Sequence, residues 1–457
     1  MNAIEFVEKA RKKEIDIVEH THKVLEKLEK INREFHYFNT ISAELAIQQA
    51  EKLAKSPKGK LCGLPVSVKD CICVKGVETT AGSKILKGYK PVFNATAVEN
   101  AINEGAIIIG KTSQDEFGFG SFNTNTGIDF EIPKNPFDAS RVCGGSSGGS
   151  AGITQAADFP HISIAESTGG SIACPASFCG IVGITPTYGL VSRYGLIDYA
   201  SSLDKIGVMA KTADECRMMI DVIKGNDAND STSLKEDYKE GNVANIAVLK
   251  EALDVDETVK KTILSCLEKN GIEYDIISLP LAAKYSNPAY YLIATSEAST
   301  NLAKFCGFKY GAEFSLDDSF NALFSNARSA CFGKEAKRRI LLGTFARMAG
   351  FREAFYLKAL KARTMIIREY KEAFKHYDLL VCPTMPITSP KIDEISRLSP
   401  LKSYMMDVLT VGPNLAGLPH LSITAGFSNR LPVGMMAIAD HLNEGALFSF
   451  GSGIEQA

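Results

Sequence analysis

The chain has 457 residues, of which 45% are hydrophobic and 23% are charged. This composition is typical of a soluble globular protein and excludes a disordered, fibrous or coiled-coil chain. Its 51 lysines and arginines nearly balance 53 aspartates and glutamates, so it lacks the excess of positive charge with which proteins hold nucleic acids. If RNA is involved in its function, we expect another chain to hold it.

The chain contains no apolar run of about 18 residues that could cross a membrane, and its first residues, with Glu5 and Glu8, lack the layout of a signal peptide. We therefore expect a cytoplasmic protein. Its eleven cysteines are then expected to be reduced thiols in the core. The closest cysteine pairs do not have the spacing of a zinc site, so no bound metal is expected.

Helical periodicity dominates the first sixty residues. Apolar or aromatic side chains recur there at spacings of three and four, at Ile15, Val18, His22, Leu25, Leu28 and Ile31. His20 and His22 are interpreted as solvated residues of this helix. From residue 61 onward, short β-rich runs such as 64–68 and 106–110 alternate with helical stretches such as 94–105, a pattern typical of α/β proteins.

The second half of the chain continues this alternation. The sequence predicts a helix over 212–223, then an exposed polar loop, then a strand over 244–249. Residues 285–372 are predicted to be mainly helical, and 377–386 forms a predicted buried strand that ends in prolines.

Two glycine-serine runs lie close together, at 144–152 (GGSSGGSAG) and at 168–171 (TGGS). Either run alone could be a flexible loop. However, Gly169 and Gly170 before Ser171 would let backbone N–H groups converge on a developing oxyanion while the serine Oγ attacks a substrate. The second run is therefore a candidate nucleophile loop.

A serine nucleophile needs a base. None of the seven histidines lies in a motif-like setting, which disfavours a Ser-His-Asp triad. Lys69 follows the apolar strand 64–68. Burial there would strip water from its ammonium group and so favour the neutral amine that a base requires.

These residues carry a family resemblance. The segments GLPVSVKD with Lys69, GGSSGGSAG with Ser146 and STGGSIACPASFCGIVG with Ser171 resemble the amidase signature family, whose members use a Ser–cis-Ser–Lys triad. The likeness extends to 110–120, 202–207 and 411–419. It implies an α/β fold in which helices cover a mixed central β-sheet, and a single amidase domain over 1–457. Within that domain we expect an N-terminal helical segment (1–60), a signature core with the triad (61–223) and a mainly helical stretch near the substrate pocket (285–372).

The resemblance also assigns catalytic roles. It implies that Ser171 is the acyl-accepting nucleophile, that Ser146, reached through a cis Gly145–Ser146 peptide, relays the proton, and that Lys69 is the base. The oxyanion hole is implied to consist of N–H groups of Thr168, Gly169, Gly170 and Ser171. The spacing between the two serines is about one residue longer than the family pattern, so Ser147 remains an alternative relay.

The C-terminal half resembles one branch of the family, the glutaminase subunits of the tRNA-dependent amidotransferases called GatCAB. The segments that carry this likeness are 297–311, 332–350 and 403–423. It implies that Arg339 binds the α-carboxylate of glutamine, that Asp407 binds the α-amine and that Tyr290 or Tyr291 closes the pocket. An arginine suits the first role because its planar fork matches a carboxylate.

The same branch implies partners. GatB and GatC would complete the complex, and GatB would hold the misacylated tRNA and activate it with ATP and Mg²⁺. This chain would need no cofactor of its own and would supply ammonia for converting Glu-tRNA(Gln), Asp-tRNA(Asn) or both. A free-standing amidase that hydrolyses small amides is the alternative.

Two positions depart from the family pattern. Members commonly carry Asp four residues before the nucleophile and Arg two after it, whereas this chain has Ser167 and Ala173. We hypothesise that the two charges normally pair, so that losing both leaves no orphan charge. Separately, 105–112 (GAIIIGKT) satisfies the phosphate-binding pattern GxxxxGK[ST], but its apolar centre predicts a strand and not a nucleotide-binding loop.

Overall fold

An eleven-stranded mixed β-sheet runs through the centre of the computed structural model, which describes residues 1–316 and 319–456. Its strands are β1 (Phe38–Ile41), β2 (Pro65–Lys69), β3 (Ile107–Thr112), β4 (Ile162–Ser167), β5 (Val182–Thr185), β6 (Lys205–Ala210), β7 (Ile246–Leu249), β8 (Asp275–Ile277), β9 (Leu379–Pro383), β10 (His420–Ser428) and β11 (Leu431–Ala439). They are ordered β1-β3-β2-β4-β6-β5-β10-β11-β9-β7-β8. The mixed sheet confirms the fold class that the sequence predicts.

Helices cover this sheet. They are α1 (Ala3–Arg11), α2 (Ile17–Phe35), α3 (Ala43–Ala54), α4 (Thr96–Asn103), α5 (Gly148–Ala156), α6 (Ala173–Cys179), α7 (Ala213–Ile223), α8 (Glu257–Lys269), α9 (Pro280–Asn301), α10 (Phe320–Cys331), α11 (Lys334–Arg347), α12 (Lys358–Ala373), α13 (Ile392–Ser396), α14 (Pro400–Tyr404), α15 (Val411–Ala416) and α16 (Glu444–Gln456). The predicted helices at 94–105 and 212–223 and the mainly helical stretch at 285–372 are confirmed by α4, α7 and α9–α12. Thr212 begins α7 with a capping box that includes Glu215.

The direction of the strands determines where the polar residues meet. Strand β2 pairs in parallel with β3 on one side and with β4 on the other. The carboxyl ends of parallel neighbours lie at the same edge of a sheet. Lys69, the last residue of β2, therefore comes to the same edge as Glu166 near the end of β4.

The N-terminal segment differs in two respects from the prediction of helices alone. Residues Phe38–Ile41 form the edge strand β1, which pairs antiparallel with β3. On α2 the buried stripe includes Thr21, whereas His22 is exposed. The place of His22 in the apolar stripe is therefore wrong, and its interpretation as a solvated residue is confirmed. The interpretation of His20 as solvated is wrong. Its ring packs 4.5 Å from that of Phe6, and burial lowers its pKa to about 4.

The glycine-lysine pattern at 105–112 belongs to the core. Residues 107–112 form the buried strand β3, and Lys111 is fully buried. Its Nζ donates to the carbonyl oxygen of Ile72 at 2.6 Å and pairs with Asp70 at 3.5 Å. This lysine is occupied by protein groups, which agrees with the interpretation of the segment as a strand.

The eleven cysteines are all free, and ten of them are buried, as expected for core thiols. Among the described residues, no helix combines the length and the apolar character that a membrane span requires.

Candidate active site

Lys69 and Ser146 lie in contact at the carboxyl edge of β2. The Lys69 Nζ lies 2.7 Å from Ser146 Oγ, and the lysine is fully buried. The Gly145–Ser146 peptide bond is cis, as the family resemblance implies. The neighbouring Ser147 instead donates from its Oγ to the carbonyl oxygen of Glu166 at 3.0 Å. The geometry therefore favours Ser146 over Ser147 as the relay.

Ser171 lies two residues before α6, on the loop that follows β4, and is 6% exposed. Its carbonyl oxygen accepts a hydrogen bond from the N–H of Ser147 at 3.2 Å. This bond ties the two glycine-serine loops together.

The nucleophile loop offers free hydrogen-bond donors. Within the described residues, the N–H groups of Gly169, Gly170 and Ser171 donate to no protein acceptor. Neither glycine could carry a side chain, because neighbouring residues occupy the space. A Cβ at Gly169 would lie 2.5 Å from the Tyr290 ring, and one at Gly170 would lie 2.2 Å from Thr410 Oγ1. The loop can thus stabilise an oxyanion with its N–H groups, as a serine nucleophile requires.

The sequence did not predict the polar network behind Lys69, in which Glu166 contacts the lysine and Thr168 links Glu166 to Asp204. Glu166 Oε2 lies 2.7 Å from Lys69 Nζ, so the lysine that we expected to be merely desolvated has a carboxylate partner. Thr168 Oγ1 lies 2.7 Å from Glu166 Oε1 and 2.8 Å from Asp204 Oδ1. All of these side chains are buried. The sequence does contain a feature that could have pointed to Glu166, since it is a charged residue in an apolar strand just before the nucleophile loop.

Arg339 on α11 lies at the wall of a cavity of about 330 Å³. The cavity is also lined by Ser121, Glu335 and Tyr404. Arg339 donates from Nε to Glu335 Oε1 at 2.8 Å and from Nη1 to Tyr199 Oη at 2.7 Å. Burial acts to raise the pKa of Glu335, but the charge of Arg339 and its hydrogen bond outweigh burial and lower it.

Aromatic rings fix the orientation of this guanidinium. Its carbon lies 5.3 to 5.7 Å from the ring centroids of Phe119, Tyr199, Tyr291 and Tyr404. In the part of the chain that the structure describes, Nη2 of Arg339 has no acceptor. The guanidinium can therefore still donate to a carboxylate in the cavity. Arg338, by contrast, is 41% exposed and pairs with Glu335.

Asp407 faces the same region from the turn after α14. It accepts a hydrogen bond from Tyr291 Oη at 2.5 Å and lies against Ser121. Burial raises the pKa of Asp407, and the hydrogen bonds from Ser121 and Tyr291 oppose that rise. Tyr290 packs at 5.0 Å against Tyr291 and adjoins Gly169. The predicted binding residues therefore lie together, next to the nucleophile loop.

The two positions that depart from the family pattern are both buried. Ser167 and Ala173 have no exposed surface, and Ser167 Oγ has no hydrogen-bond partner among the described residues. A lone aspartate or arginine here would be a buried, unpaired charge, which costs several kcal/mol. The joint loss of both charges fits this environment.

Comparisons with known proteins agree with this geometry. The Amidase family model matches residues 19–448. The chain is 42% identical to the A-subunit of Glutamyl-tRNA(Gln) amidotransferase from Nostoc punctiforme, over 98% of this chain and 95% of that one. It is 45% identical to the protein of the same name from Archaeoglobus fulgidus, over 94% of each chain.

Solved structures give the same result. The crystal structure of the A-subunit of Glutamyl-tRNA(Gln) amidotransferase from Thermotoga maritima matches with a TM-score of 0.81 and 34% identity, covering all of this chain and 94% of that one. The 6-aminohexanoate cyclic dimer hydrolase, at 20% identity, shares the fold with a TM-score of 0.84 over all of this chain and 96% of its own. With Lys69 at the end of β2, Ser146 and Ser171 on adjoining loops, and a family match over nearly its whole length, the chain belongs to the amidase family.

Proposed function

We propose that this chain is the glutamine-hydrolysing subunit of a tRNA-dependent amidotransferase, the role of the subunits called GatA. The observation that carries the proposal is the contact between Lys69 and Ser146, next to a loop of free N–H groups. Beside that loop lies a pocket lined by Arg339 and Ser121, and Asp407 adjoins it through Ser121. Lys69, Ser146 and the loop N–H groups would carry out amide hydrolysis together with Ser171. The pocket offers one positive and one negative group for the two charges of a free amino acid.

Acylation would begin at Ser171. As its Oγ bonds to the side-chain carbonyl carbon of glutamine, its proton passes to Ser146 Oγ, whose own proton passes to Lys69 Nζ. The loop N–H groups stabilise the oxyanion. When the intermediate collapses, the carbon–nitrogen bond breaks, and the proton returns from Lys69 through Ser146 to the leaving nitrogen. Ammonia leaves, and a glutamyl ester remains on Ser171.

Deacylation would use the same groups in the same order. A water molecule attacks the ester carbon while it gives its proton through Ser146 to Lys69. The ester bond then breaks, and the proton returns to Ser171 Oγ. Glutamate leaves and the enzyme regains its starting state.

Replacing Arg339 with alanine is expected to raise KM for glutamine by about 10- to 100-fold, because a hydrogen bond to a charged group contributes about 1.5–3 kcal/mol. The value of kcat should change much less, since the α-carboxylate is bound equally in the ground and transition states. Steady-state kinetics of glutamine hydrolysis will measure both constants. Arg338→Ala is the matched control, since Arg338 is partly exposed. A larger KM effect in the control than in Arg339→Ala would reassign the carboxylate contact.

The same role calls for partner subunits, proposed here as GatB and GatC, with misacylated tRNA, ATP and Mg²⁺ handled by GatB. The near-neutral charge of this chain supports that division. An exposed apolar face near the pocket supports a docking surface. It consists of Leu341, Leu342, Phe345, Met348 and Phe351. Exposed patches of this kind commonly mark protein interfaces. The tRNA served would be Glu-tRNA(Gln), Asp-tRNA(Asn) or both, in cytoplasmic protein synthesis.

The amidotransferase role is expected to make the isolated chain nearly idle as a glutaminase, with activity rising when GatB and GatC are added. An enzyme that released ammonia without a consumer would waste glutamine. The assay measures glutamate formed by the purified chain with and without the partners, and a small aliphatic amide serves as the control substrate. Full activity of the chain alone, with the small amide preferred over glutamine, would support the free amidase instead.

A further inference from the structure

Both the main chain and the side chain of Glu166 contact Lys69. Its Nζ lies 3.0 Å from the main-chain oxygen of Glu166 and 2.7 Å from the side-chain Oε2. The third contact is Ser146 Oγ at 2.7 Å. We propose that Glu166 is a positioning residue for the base, whose carboxylate aims Lys69 at Ser146 and stabilises the ammonium that forms during acyl transfer. This inference rests on the proposed function, since it takes Lys69 as the base.

The geometry serves both protonation states of the lysine. In the ammonium form, three N–H groups match the three oxygen neighbours. In the neutral amine, two N–H groups remain on the two Glu166 oxygens, so the lone pair is directed at Ser146 and can accept its proton. Glu166 thus fixes the direction in which the base faces in both protonation states.

Glu166 is itself fixed by Thr168 and Asp204. The Thr168 hydroxyl lies between Glu166 Oε1 and Asp204 Oδ1, yet it has one proton and can donate to only one of them. Asp204 also accepts from the N–H groups of Tyr199 and Ala200. Burial raises the pKa of Asp204 well above its ordinary value, and the nearby charge of Glu166 adds to the rise. When Asp204 carries a proton, it can donate to Thr168, which leaves the Thr168 proton for Glu166.

The other titratable groups around this pair do not replace Glu166. Cys71, beyond the end of β2, is a buried thiol whose pKa is raised by burial, so it is neutral. Burial raises the pKa of Asp115, which follows β3, to about 6. Its carboxylate accepts hydrogen bonds from the backbone N–H groups of Asn123 and Asn125. Arg339 is engaged by Glu335. Among the described residues, Glu166 is the carboxylate in ion-pair contact with Lys69.

The test is the pH profile of kcat/KM for glutamine hydrolysis by the assembled complex, with wild type compared with Glu166→Gln. An opposite charge at this distance favours the charged form of a group by about 1–3 pH units. The amide removes that charge, so the acid limb of the profile should move to lower pH by about 1–3 units. The plateau should fall by about tenfold, because the ammonium formed in the transition state loses a charge-assisted hydrogen bond. Asp115 is unchanged in both proteins, so its titration does not produce the difference.

Glu51→Gln, at an exposed position on α3, is the matched control and should keep the wild-type profile. Glu166→Asp is the second variant, and it decides the question if Glu166→Gln fails to fold. Its shorter side chain withdraws the carboxylate from Nζ, so its acid limb should also move to lower pH and its plateau should fall. A wild-type profile in the variant that folds would overturn the positioning role. That result leaves the proposed function intact if Ser171→Ala is inactive, whereas an active Ser171→Ala refutes the proposed function itself.

Discussion

Replacing Ser171 with alanine is expected to lower kcat for glutamine hydrolysis by about 10⁴-fold or more, the loss typical of a removed nucleophile. The variant lacks the oxygen that accepts the acyl group, and Ser146, occupied by Lys69, cannot take its place. The loop N–H groups would remain and give only residual catalysis. Glutamate release by the purified complex is the measurement.

The fold of this variant should be unchanged. Its main-chain carbonyl still accepts the N–H of Ser147, and alanine removes only the Oγ atom. Circular dichroism and a thermal melt check this. Ser147→Ala is the control on the adjoining loop, and it should lose far less activity because its Oγ contacts a carbonyl and not Lys69. Turnover close to wild type in Ser171→Ala would refute the triad.

The candidate catalytic residues could be found from the sequence because each lies in a short motif, and the family resemblance then implied their roles. The glycines before Ser171 leave a mark in the sequence, since few other residues fit there. The cis peptide before Ser146 was implied by the family resemblance. Lys69 was predictable from the strand before it. These three positions depend mainly on local sequence.

The partners of these residues depend on which strands are neighbours, and the sequence does not reveal that order. Glu166 and Lys69 meet because β4 pairs with β2, although 97 residues separate them in the chain. The environment of Arg339 is similar, since its aromatic neighbours come from four separate segments. The resemblance implied the role of Arg339, but the pairing with Glu335 and Tyr199 became visible only in the structure.

The errors at the N-terminus have a local cause. Phe38–Ile41 is a strand of only four residues at the sheet edge, too short for its alternation to stand out from the helices on either side. On α2 the buried stripe follows Thr21, whose hydroxyl donates to the carbonyl oxygen of Ile17 at 2.7 Å and is thereby satisfied inside the helix. Because threonine is a polar residue, the hydrophobicity pattern assigned the neighbouring His22 to the buried stripe instead.

Replacing Lys69 with methionine is expected to abolish glutamine hydrolysis and to lower the free energy of unfolding by about 3–5 kcal/mol, the usual cost of leaving one partner of a buried ion pair alone. Methionine fills much of the same space but cannot compensate the negative charge of Glu166. Only 4% of the Glu166 side chain is exposed, so water cannot compensate that charge either. The stability loss should be largest at neutral pH. It should shrink as the pH falls toward about 4.3, where glutamate is half-protonated in the unfolded chain.

The double variant Lys69→Met/Glu166→Gln separates the two effects of this substitution. With the lone charge removed, most of the lost stability should return, and its dependence on pH should weaken, whereas activity should stay absent because no base remains. Urea unfolding of the full chain at neutral and acid pH measures the stability, and glutamate release measures activity. If the single variant were as stable as wild type at neutral pH, Glu166 would not carry a buried charge there. If the double variant hydrolysed glutamine, Lys69 would not be the base.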